Sequence, residues 1–265
     1  MAMQTRQSQR RRQVLSRERI VEAAVELLDA AGQEALTVRA LTERLSTGSG
    51  AIYHHVGTMG ELLTAATESV VVGVLAARPA PAGPADPADP VEGSVAARAT
   101  AEEIRAVALA LYDAVCEHPW LATQLAVQLT RSPWGAVTPR VFESIGRHVR
   151  RLGLPRDDWF AATSTLVHYI LGATAQNVRT PGDAGRGPGP GAGPDRAEFL
   201  DAAARAWQDL DPDEYPFIHD IAEQMRGHDD REQFLTGIDL VLTGILAGIG
   251  ATRPAADLGH HPRTG

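Results

Sequence analysis

The sequence predicts an all-α protein in which a small N-terminal head of three helices is joined to a larger helical body. Apolar residues recur at the three- and four-residue spacing of amphipathic helices through most of the chain. Aromatic residues make up only 5% of the 265 residues, alanine is abundant, and strand signals are weak throughout. The 44% hydrophobic content is sufficient for a packed core in a chain of this length.

The first helix is predicted over residues 16–31. Ile20, Ala24 and Leu28 recur at helical spacing and define one apolar face. Ser16 is suited to cap the N-terminus because its hydroxyl oxygen can accept a backbone N–H. Gly32 is suited to end the helix, since glycine tolerates the backbone conformation that follows a last turn. The pattern therefore bounds this helix at both ends.

Two short helices and a tight turn are predicted next. Thr37 can cap a second helix over residues 38–45, and Ser46, Thr47 and Gly48 supply the turn. A third helix is expected over residues 49–55, followed by a fourth from Met59 to about residue 77. A short helix, a tight turn and a second short helix are the layout of a helix-turn-helix, which places its second helix in the major groove of DNA.

The remainder predicts a helical body interrupted by two loose segments. Helices are expected at about residues 95–118, 120–130, 136–152, 157–178, 196–208, 214–226 and 231–250. Five prolines between residues 78 and 93, and the run PGDAGRGPGPGAGP over 181–194, do not suit packed elements. We predict a disordered basic arm over 1–15, a head over 16–63 and a body over 64–252. Mobile segments are expected at about 78–94 and 181–194, and a disordered tail over 253–265.

The net charge of −8 is unevenly distributed and argues against a general nucleic-acid binder. Residues 1–75 hold eight arginines and eight acidic residues, whereas the rest holds 17 arginines and 25 acidic residues. Six arginines face one glutamate within the first 20 residues. This arm either neutralises nucleic-acid phosphates or is a solvated terminus without contacts.

The single cysteine, Cys116, excludes an internal disulfide and suits a reducing compartment. No apolar segment near the N-terminus suggests a signal peptide. The most hydrophobic run, residues 234–249, is interrupted by Asp239 and is shorter than a membrane span. We therefore expect a cytoplasmic protein that does not associate with membranes.

Three segments of the head resemble the N-terminal domain of TetR-family transcriptional regulators. They are RIVEAA over residues 19–24, LTVRAL over 36–41 and GAIYHHV over 50–56. The body also resembles the C-terminal domain of the tetracycline-repressor branch, at EHPW over 117–120, at Tyr215-Pro216 and over 234–246. The resemblance implies a ligand-responsive regulator, a repressor by default, that binds a palindromic operator of double-stranded DNA as a homodimer.

The resemblance implies a DNA-binding set at the helix-turn-helix. Ser49, Gly50 and Ala51 begin the recognition helix and are small, so they favour contact with a thymine methyl over bidentate readout. Arg39 either reads a guanine or holds a phosphate, and Tyr53 donates to the DNA backbone. The full predicted set is Thr37, Arg39, Thr47, Ser49, Gly50, Ala51, Tyr53, His54 and His55, while Ile52 and Val56 are expected in the core.

Three residues of the head depart from the family pattern. Met59 stands where a lysine usually contacts a phosphate, Ser46 replaces a turn glycine, and Gly48 replaces a polar residue at the entrance of the recognition helix. Loss of one cationic contact at Met59 should weaken DNA binding and flatten its salt dependence. The arginines of the arm are candidates to compensate.

The body is expected to supply a dimer interface and a pocket for a small, largely apolar effector. Two-fold related heads need a rigid interface, for which the helices at 157–178 and 231–250 are candidates. Gly244 and Gly248 would allow close approach, which favours the dimer; the alternative is that the second helix is the buried central helix of a monomer. The predicted ligand-binding residues are Tyr112, Cys116, Trp120, Gln124, Gln128, Trp134, Phe142, His168, Tyr169 and Asn177.

Enzymatic and metal-binding functions find little support in the sequence. It has no glycine-rich phosphate loop, nucleophile elbow or HExxH motif, and its histidines lack metal-ligand spacing. We predict no catalytic residue, no cofactor and no metal. The alternative is a helical small-molecule-binding protein or enzyme with a vestigial DNA-binding head, which Met59 and Ser46 favour.

Overall fold

The structure is a computed structural model that describes residues 15–77, 94–176 and 194–250. Within these ranges it has eleven α-helices and no β-strand, which confirms the predicted all-α class. Most of the predicted arm, loose segments and tail lie outside the described residues. The helices are α1 (Arg17–Ala31), α2 (Val38–Leu45), α3 (Ser49–Val56), α4 (Met59–Ala76), α5 (Ser94–Glu117), α6 (Trp120–Arg131), α7 (Val137–Val149), α8 (Trp159–Gln176), α9 (Pro194–Gln208), α10 (Pro216–Ile221) and α11 (Asp230–Gly250).

The head forms from local capping signals and one small core. The Ser16 Oγ accepts the N–H of Arg19 at 3.3 Å, and the Thr37 Oγ1 accepts the N–H of Ala40 at 3.1 Å. Both predicted caps are therefore present, and they begin α1 and α2 at the expected residues. The core between the three helices is built from fully buried aliphatic side chains, among them Ile20, Leu28, Leu41 and Ile52.

The turn between α2 and α3 depends on a left-handed residue. Ser46 has φ 50° and ψ 49°, and it is the only non-glycine residue with positive φ in the described part of the chain. An L-residue in this conformation costs about 1 kcal/mol relative to glycine. The substitution of serine for the usual turn glycine therefore keeps the turn geometry at the expense of stability.

The helix α4 joins the head to the body. It begins with a reciprocal capping box, in which the Thr58 Oγ1 accepts the N–H of Glu61 at 3.1 Å and the Thr58 N–H donates to the Glu61 carboxylate at 2.7 Å. It packs on α1 in the head and on α5, α6 and α7 in the body. The predicted division between residues 63 and 64 thus falls inside one continuous helix.

By length and composition alone, α4 also qualifies as a membrane span, with a mean hydropathy of 1.4 over 18 residues. Its Leu62, Ala66 and Val71 are fully buried, and Glu61 and Glu68 lie along the same helix. A core helix has the same profile, so this is weak evidence for a membrane segment.

The body is a bundle in which α5, α7, α8 and α11 pack around one core, with α6 across one side. Phe234, Ile238 and Leu242 of α11 are almost fully buried and face this core. On the opposite side of α11, Leu240 is 69% exposed. The apolar residues of this helix are therefore divided between a core face and an outward face.

The helices α9 and α10 and the 3₁₀ turn Ala222–Gly227 form a small separate lobe, called the lobe below. Leu200, Ala204 and Ala222 are its buried residues. The lobe is tied to the start of α11 because the Arg196 guanidinium contacts both carboxylate oxygens of Asp230 at 2.8 Å. It is therefore attached to the bundle through a partly buried ion pair.

Three predicted helices differ from the structure at their ends. The helix expected over 136–152 stops at Val149 and continues as a 3₁₀ turn, since Gly153 with φ 83° reverses the chain. The helix expected over 157–178 begins at Trp159, after a 3₁₀ turn that follows Pro155. The helix expected over 214–226 is two pieces, α10 and the 3₁₀ turn at 222–227. Periodicity alone does not distinguish a 3₁₀ turn from an α-helical end.

Candidate DNA-binding surface and ligand cavity

The exposed side of α3 is the candidate DNA-binding surface. Ile52 and Val56 are 0% and 6% exposed, as expected, and they hold α3 against the head core. The other side chains of α3, and Thr47 just before it, differ in how far they are exposed to solvent. Ser49, Gly50, Tyr53 and His54 are exposed, whereas Thr47, Ala51 and His55 are half-buried. The structure therefore brings the predicted recognition-helix residues together on one surface.

The predicted contributors from α2 lie beside this surface. The Arg39 side chain is 87% exposed, and its Nε donates to Glu43 Oε1 at 2.8 Å, one helical turn away. An ion pair this exposed is worth little in free energy, so the guanidinium is free to exchange Glu43 for another anion. The Thr37 hydroxyl oxygen already caps α2. Thr37 therefore has a structural role alongside any contact with DNA.

Two features near α3 were not expected from the sequence. The Arg44 Nε donates to Glu26 Oε2 at 2.7 Å, which fixes α2 against α1. Met59, which replaces the family lysine, packs half-buried against the hydrophobic core. Met59 therefore contributes packing at the start of α4 where the family pattern has a charge.

Three predicted ligand residues on α6 contact the head or α4, the helix that joins the head to the body. The Trp120 Nε1–H donates to Asp29 Oδ1 at 2.7 Å, the Gln124 amide donates to Gln33 at 3.0 Å, and the Gln128 amide donates to Thr64 at 2.9 Å. The His118 Nδ1 contacts the same Asp29 oxygen at 2.7 Å. These contacts join the body to the head. We call the set His118, Trp120, Gln124 and Gln128, with their partners Asp29, Gln33 and Thr64, the head–body clasp.

A second group of predicted residues surrounds Phe234 of α11. The Tyr112 and Tyr169 rings lie 4.6 and 5.8 Å from the Phe234 ring, and the Tyr169 hydroxyl donates to the Phe234 carbonyl at 3.1 Å. Burial raises the pKa of both phenols, so each stays a neutral donor. Cys116 is exposed near Tyr112. Tyr169 and the exposed His168 line an open groove of about 420 Å³ between α8 and α11.

The remaining predicted ligand residues lie apart. Trp134 is 84% exposed, and Phe142 stacks on the exposed Phe160 with ring centroids 6.2 Å apart. Asn177 lies outside the described residues. The nine of these residues that the structure describes therefore do not line one cavity.

The centre of the body instead contains a small apolar cavity, called the apolar seam below. Its volume is about 10 Å³, roughly the space of one water molecule. Thr174 is its one polar lining residue, and that hydroxyl donates to the Ile170 carbonyl at 2.7 Å. The lining residues are Leu111, Val115, Leu125, Val141, Ile145, Val167, Ile170, Leu171 and Thr174. Sequence reasoning missed them because aliphatic side chains at helical spacing are indistinguishable from ordinary core.

The structure offers no metal centre in the part of the chain that it describes. No group of three or more His, Cys, Asp or Glu side chains is placed to hold a metal ion there. Two adjacent histidines, His54 and His55, pack ring to ring at 5.4 Å on the outer surface of α3.

Both the head and the body match models of known protein families. Residues 20–66 match the model for bacterial regulatory proteins of the tetR family, and residues 98–249 match the tetracyclin repressor-like C-terminal domain. The chain is 31% identical over 166 residues to the HTH-type transcriptional repressor DrrR1 of Streptomyces coeruleorubidus, covering 62% of this chain and 54% of that protein. It spans between half and two thirds of the length of the curated relatives that it matches.

Solved structures agree with this assignment. The transcriptional regulator SCO7222, a TetR from Streptomyces coelicolor, is 53% identical with a TM-score of 0.71, covering 88% of this chain and 98% of that one. ActR of the same organism, in complex with actinorhodin, is 25% identical with a TM-score of 0.65, covering 89% of this chain and 99% of that one. These matches confirm the resemblance seen in the head and in the body. The chain belongs to the TetR family of bacterial regulatory proteins.

Proposed function

We propose that this chain is a cytoplasmic, ligand-responsive transcriptional repressor that binds a palindromic operator as a homodimer. A small, largely apolar effector then releases it from DNA. The observation that carries the proposal is that α6 contacts both the apolar seam and the head–body clasp. Leu125 of α6 lines the apolar seam, whereas Trp120, Gln124 and Gln128 of the same helix form the head–body clasp.

The apolar seam supports both the class of effector and a mechanism of release. Its lining has no charged group and one hydroxyl that is already hydrogen-bonded. A ligand cavity typically occupies about 300–1,000 Å³, whereas the seam measures about 10 Å³. An effector that enters must therefore move α5–α8 apart, and a displaced α6 strains the contacts to Asp29, Gln33 and Thr64. Effector and operator then favour different conformations, which makes their coupling reciprocal.

The exposed face of α3 supports the proposed DNA contact. Thr37, Arg39, Thr47, Ser49, Gly50, Ala51, Tyr53, His54 and His55 form the proposed DNA-binding set. Residues 16–63 serve as the reading head and residues 64–252 as the effector and dimerisation body. The name of DrrR1 as a repressor and the actinorhodin complex of ActR favour the same two activities.

The outward faces of α8 and α11 support the proposed dimer. Leu240 is 69% exposed on α11, and Gly244 and Gly248 have open space where a side chain would stand. Exposed small residues permit close approach of two helices, as expected for a four-helix interface between two copies. The related face of α8 carries Ala161, Thr165, His168 and Gly172, all exposed.

Footprinting of the promoter beside the chain's own gene tests the DNA-binding part. We expect two protected half-sites about one helical turn apart at low salt. Actinorhodin, the ligand named for ActR, serves as the first effector probe and should reduce protection. Absence of protection at low salt would refute the regulator and favour a binding protein with a vestigial head. Protection that no apolar compound relieves would refute only the proposed effector.

A further inference from the structure

A crevice separates the lobe from the start of α11. Its volume is about 360 Å³, within the usual range for small-molecule sites. The lobe contributes Trp207, Ile221 and Met225 as apolar walls, and α11 and the residue before it contribute the carboxylates of Asp229 and Glu232. The other lining residues are Gln224, Gly227, His228, Gln233 and Thr236. The crevice thus combines apolar side chains of the lobe with two carboxylates from the start of α11.

The two carboxylates form no ion pair within the described residues. The Asp229 Oδ1 accepts the backbone N–H of Glu232 at 2.8 Å, so this carboxylate also caps α11. Neighbouring cations are engaged elsewhere. Arg226 pairs with Asp201 and Glu223, Arg196 and His228 contact Asp230, and Arg231 contacts Asp113. The crevice lining therefore carries two carboxylates and no arginine.

We propose that this crevice binds an organic cation, an ammonium group carried on an apolar or aromatic body. Trp207 lines the crevice and can attract a cation through its ring quadrupole, and Asp229 and Glu232 attract it by charge. Ile221 and Met225 provide apolar contact for the rest of the molecule. An anion is disfavoured by both carboxylates. The site is separate from the apolar seam, which has no charged group, and the proposal does not depend on the regulatory function.

Calorimetric titration of the full chain with benzyltrimethylammonium tests the proposal. We expect saturable binding at one site per chain, at least tenfold tighter than that of the neutral isostere neopentylbenzene and of phenylacetate. The affinity for the cation should also fall as salt is raised from about 20 to about 500 mM, because dissolved ions screen its attraction to the two exposed carboxylates. Tighter binding of the anion would overturn the assignment, and so would equal affinity for the neutral compound if Trp207→Leu weakens that binding as well, since this loss places it in the crevice and not in the apolar seam.

Substitutions then locate the site. Trp207→Leu should weaken binding of the cation about fivefold, and Glu232→Gln about threefold because one charge is removed. Glu198→Gln, which neutralises an exposed carboxylate of α9 outside the crevice lining, is the matched control and should leave affinity unchanged. If Trp207→Leu unfolds the lobe, Glu232→Gln decides, since this side chain is exposed on a helix surface. Parent-like affinity of Glu232→Gln would overturn the proposal.

Discussion

The hydroxyl group of Tyr169 on α8 lies directly against the backbone of Gly237 on α11, where a Cβ atom would otherwise stand. The same hydroxyl donates to the Phe234 carbonyl at 3.1 Å, so one side chain both packs against α11 and hydrogen-bonds to it. Gly237 is itself buried. The close packing of these two helices, which carry the proposed dimer face, therefore requires glycine at this position.

Gly237→Ala is expected to lower the free energy of unfolding by about 1–3 kcal/mol, because the new methyl group overlaps the Tyr169 ring and hydroxyl. Gly73→Ala is the matched control. Gly73 lies exposed in α4 with open space around it, so alanine should stabilise by about 0.5–1 kcal/mol through helix propensity. Urea unfolding followed by circular dichroism measures both changes. Equal stability of Gly237→Ala and the parent would contradict the close contact.

Ser46→Gly is expected to raise the free energy of unfolding by about 0.5 kcal/mol. Relief of the left-handed strain gains about 1 kcal/mol, and the greater freedom of glycine in the unfolded chain offsets part of it. Gly153→Ala is the inverse control. Gly153 has φ 83° in open space, so alanine there should lower the free energy of unfolding by about 1 kcal/mol. The midpoint of urea unfolding checks the pair. A lower midpoint for Ser46→Gly would show that the serine hydroxyl contributes more than the strain removes.

Arg39→Ala and Tyr53→Phe are expected to weaken operator binding without changing the thermal midpoint of the chain, because both side chains are exposed. Loss of the Tyr53 hydroxyl group should weaken the free energy of operator binding by about 1 kcal/mol, the contribution of one hydrogen bond. If Arg39 contacts a phosphate, the alanine variant should lower the slope of the logarithm of the binding constant against the logarithm of salt concentration by about one. If Arg39 reads a guanine, the variant should lose about 1–3 kcal/mol of binding free energy and become less specific at that base pair. Fluorescence anisotropy across a salt series separates the two.

Arg131→Ala, at the exposed end of α6, is the control. Parent-like affinity of both head variants would remove these residues from the interface.

The head was predictable from the sequence because its signals are local. Ser16 and Thr37 cap helices through atoms three residues away, and Ile52 and Val56 follow from the helical period alone. Tertiary partners are different, since no local pattern records them. The residue type of Trp120 predicts a ligand pocket, and only the position of Asp29, 91 residues earlier, shows that this side chain contacts the head.

The apolar seam was beyond sequence reasoning for a related reason. Leu125 and Val141 have the spacing of ordinary core residues, and a cavity depends on how several helices fit together. The lobe was predicted as helices but not as a separate unit. Its independence depends on what Leu200 and Ala222 pack against, which periodicity does not specify.

His148 is the buried histidine that should make stability depend on pH. Its side chain is 4% exposed, its Nδ1–H donates to Glu103 at 2.8 Å, and its Nε2 accepts from the Arg147 Nε at 3.3 Å. This arrangement uses the neutral imidazole, since a protonated ring has no acceptor. Arg151 also pairs with Glu103. Burial lowers the pKa of His148 below its ordinary value, and hydrogen bonding to Glu103 opposes the shift.

A lowered pKa in the folded state means that the unfolded chain takes up the proton first as pH falls. The free energy of unfolding should therefore be constant with respect to this group above about pH 6.5, the unfolded value. It should decrease below that pH until the folded pKa is passed. His148→Gln should lower stability at pH 7.5 by about 1–3 kcal/mol, because Arg147 or Glu103 loses a partner. It should also flatten the pH dependence.

Urea unfolding at half-unit steps from pH 8 to pH 5 measures this difference. His168→Gln, which replaces an exposed histidine of α8, is the control and should keep the slope of the parent. The same slope for His148→Gln and the parent would mean that His148 does not titrate differently in the two states. A stability that instead rises as pH falls below 6.5 would require a charged imidazole in the folded chain, and the Arg147 contact excludes that form.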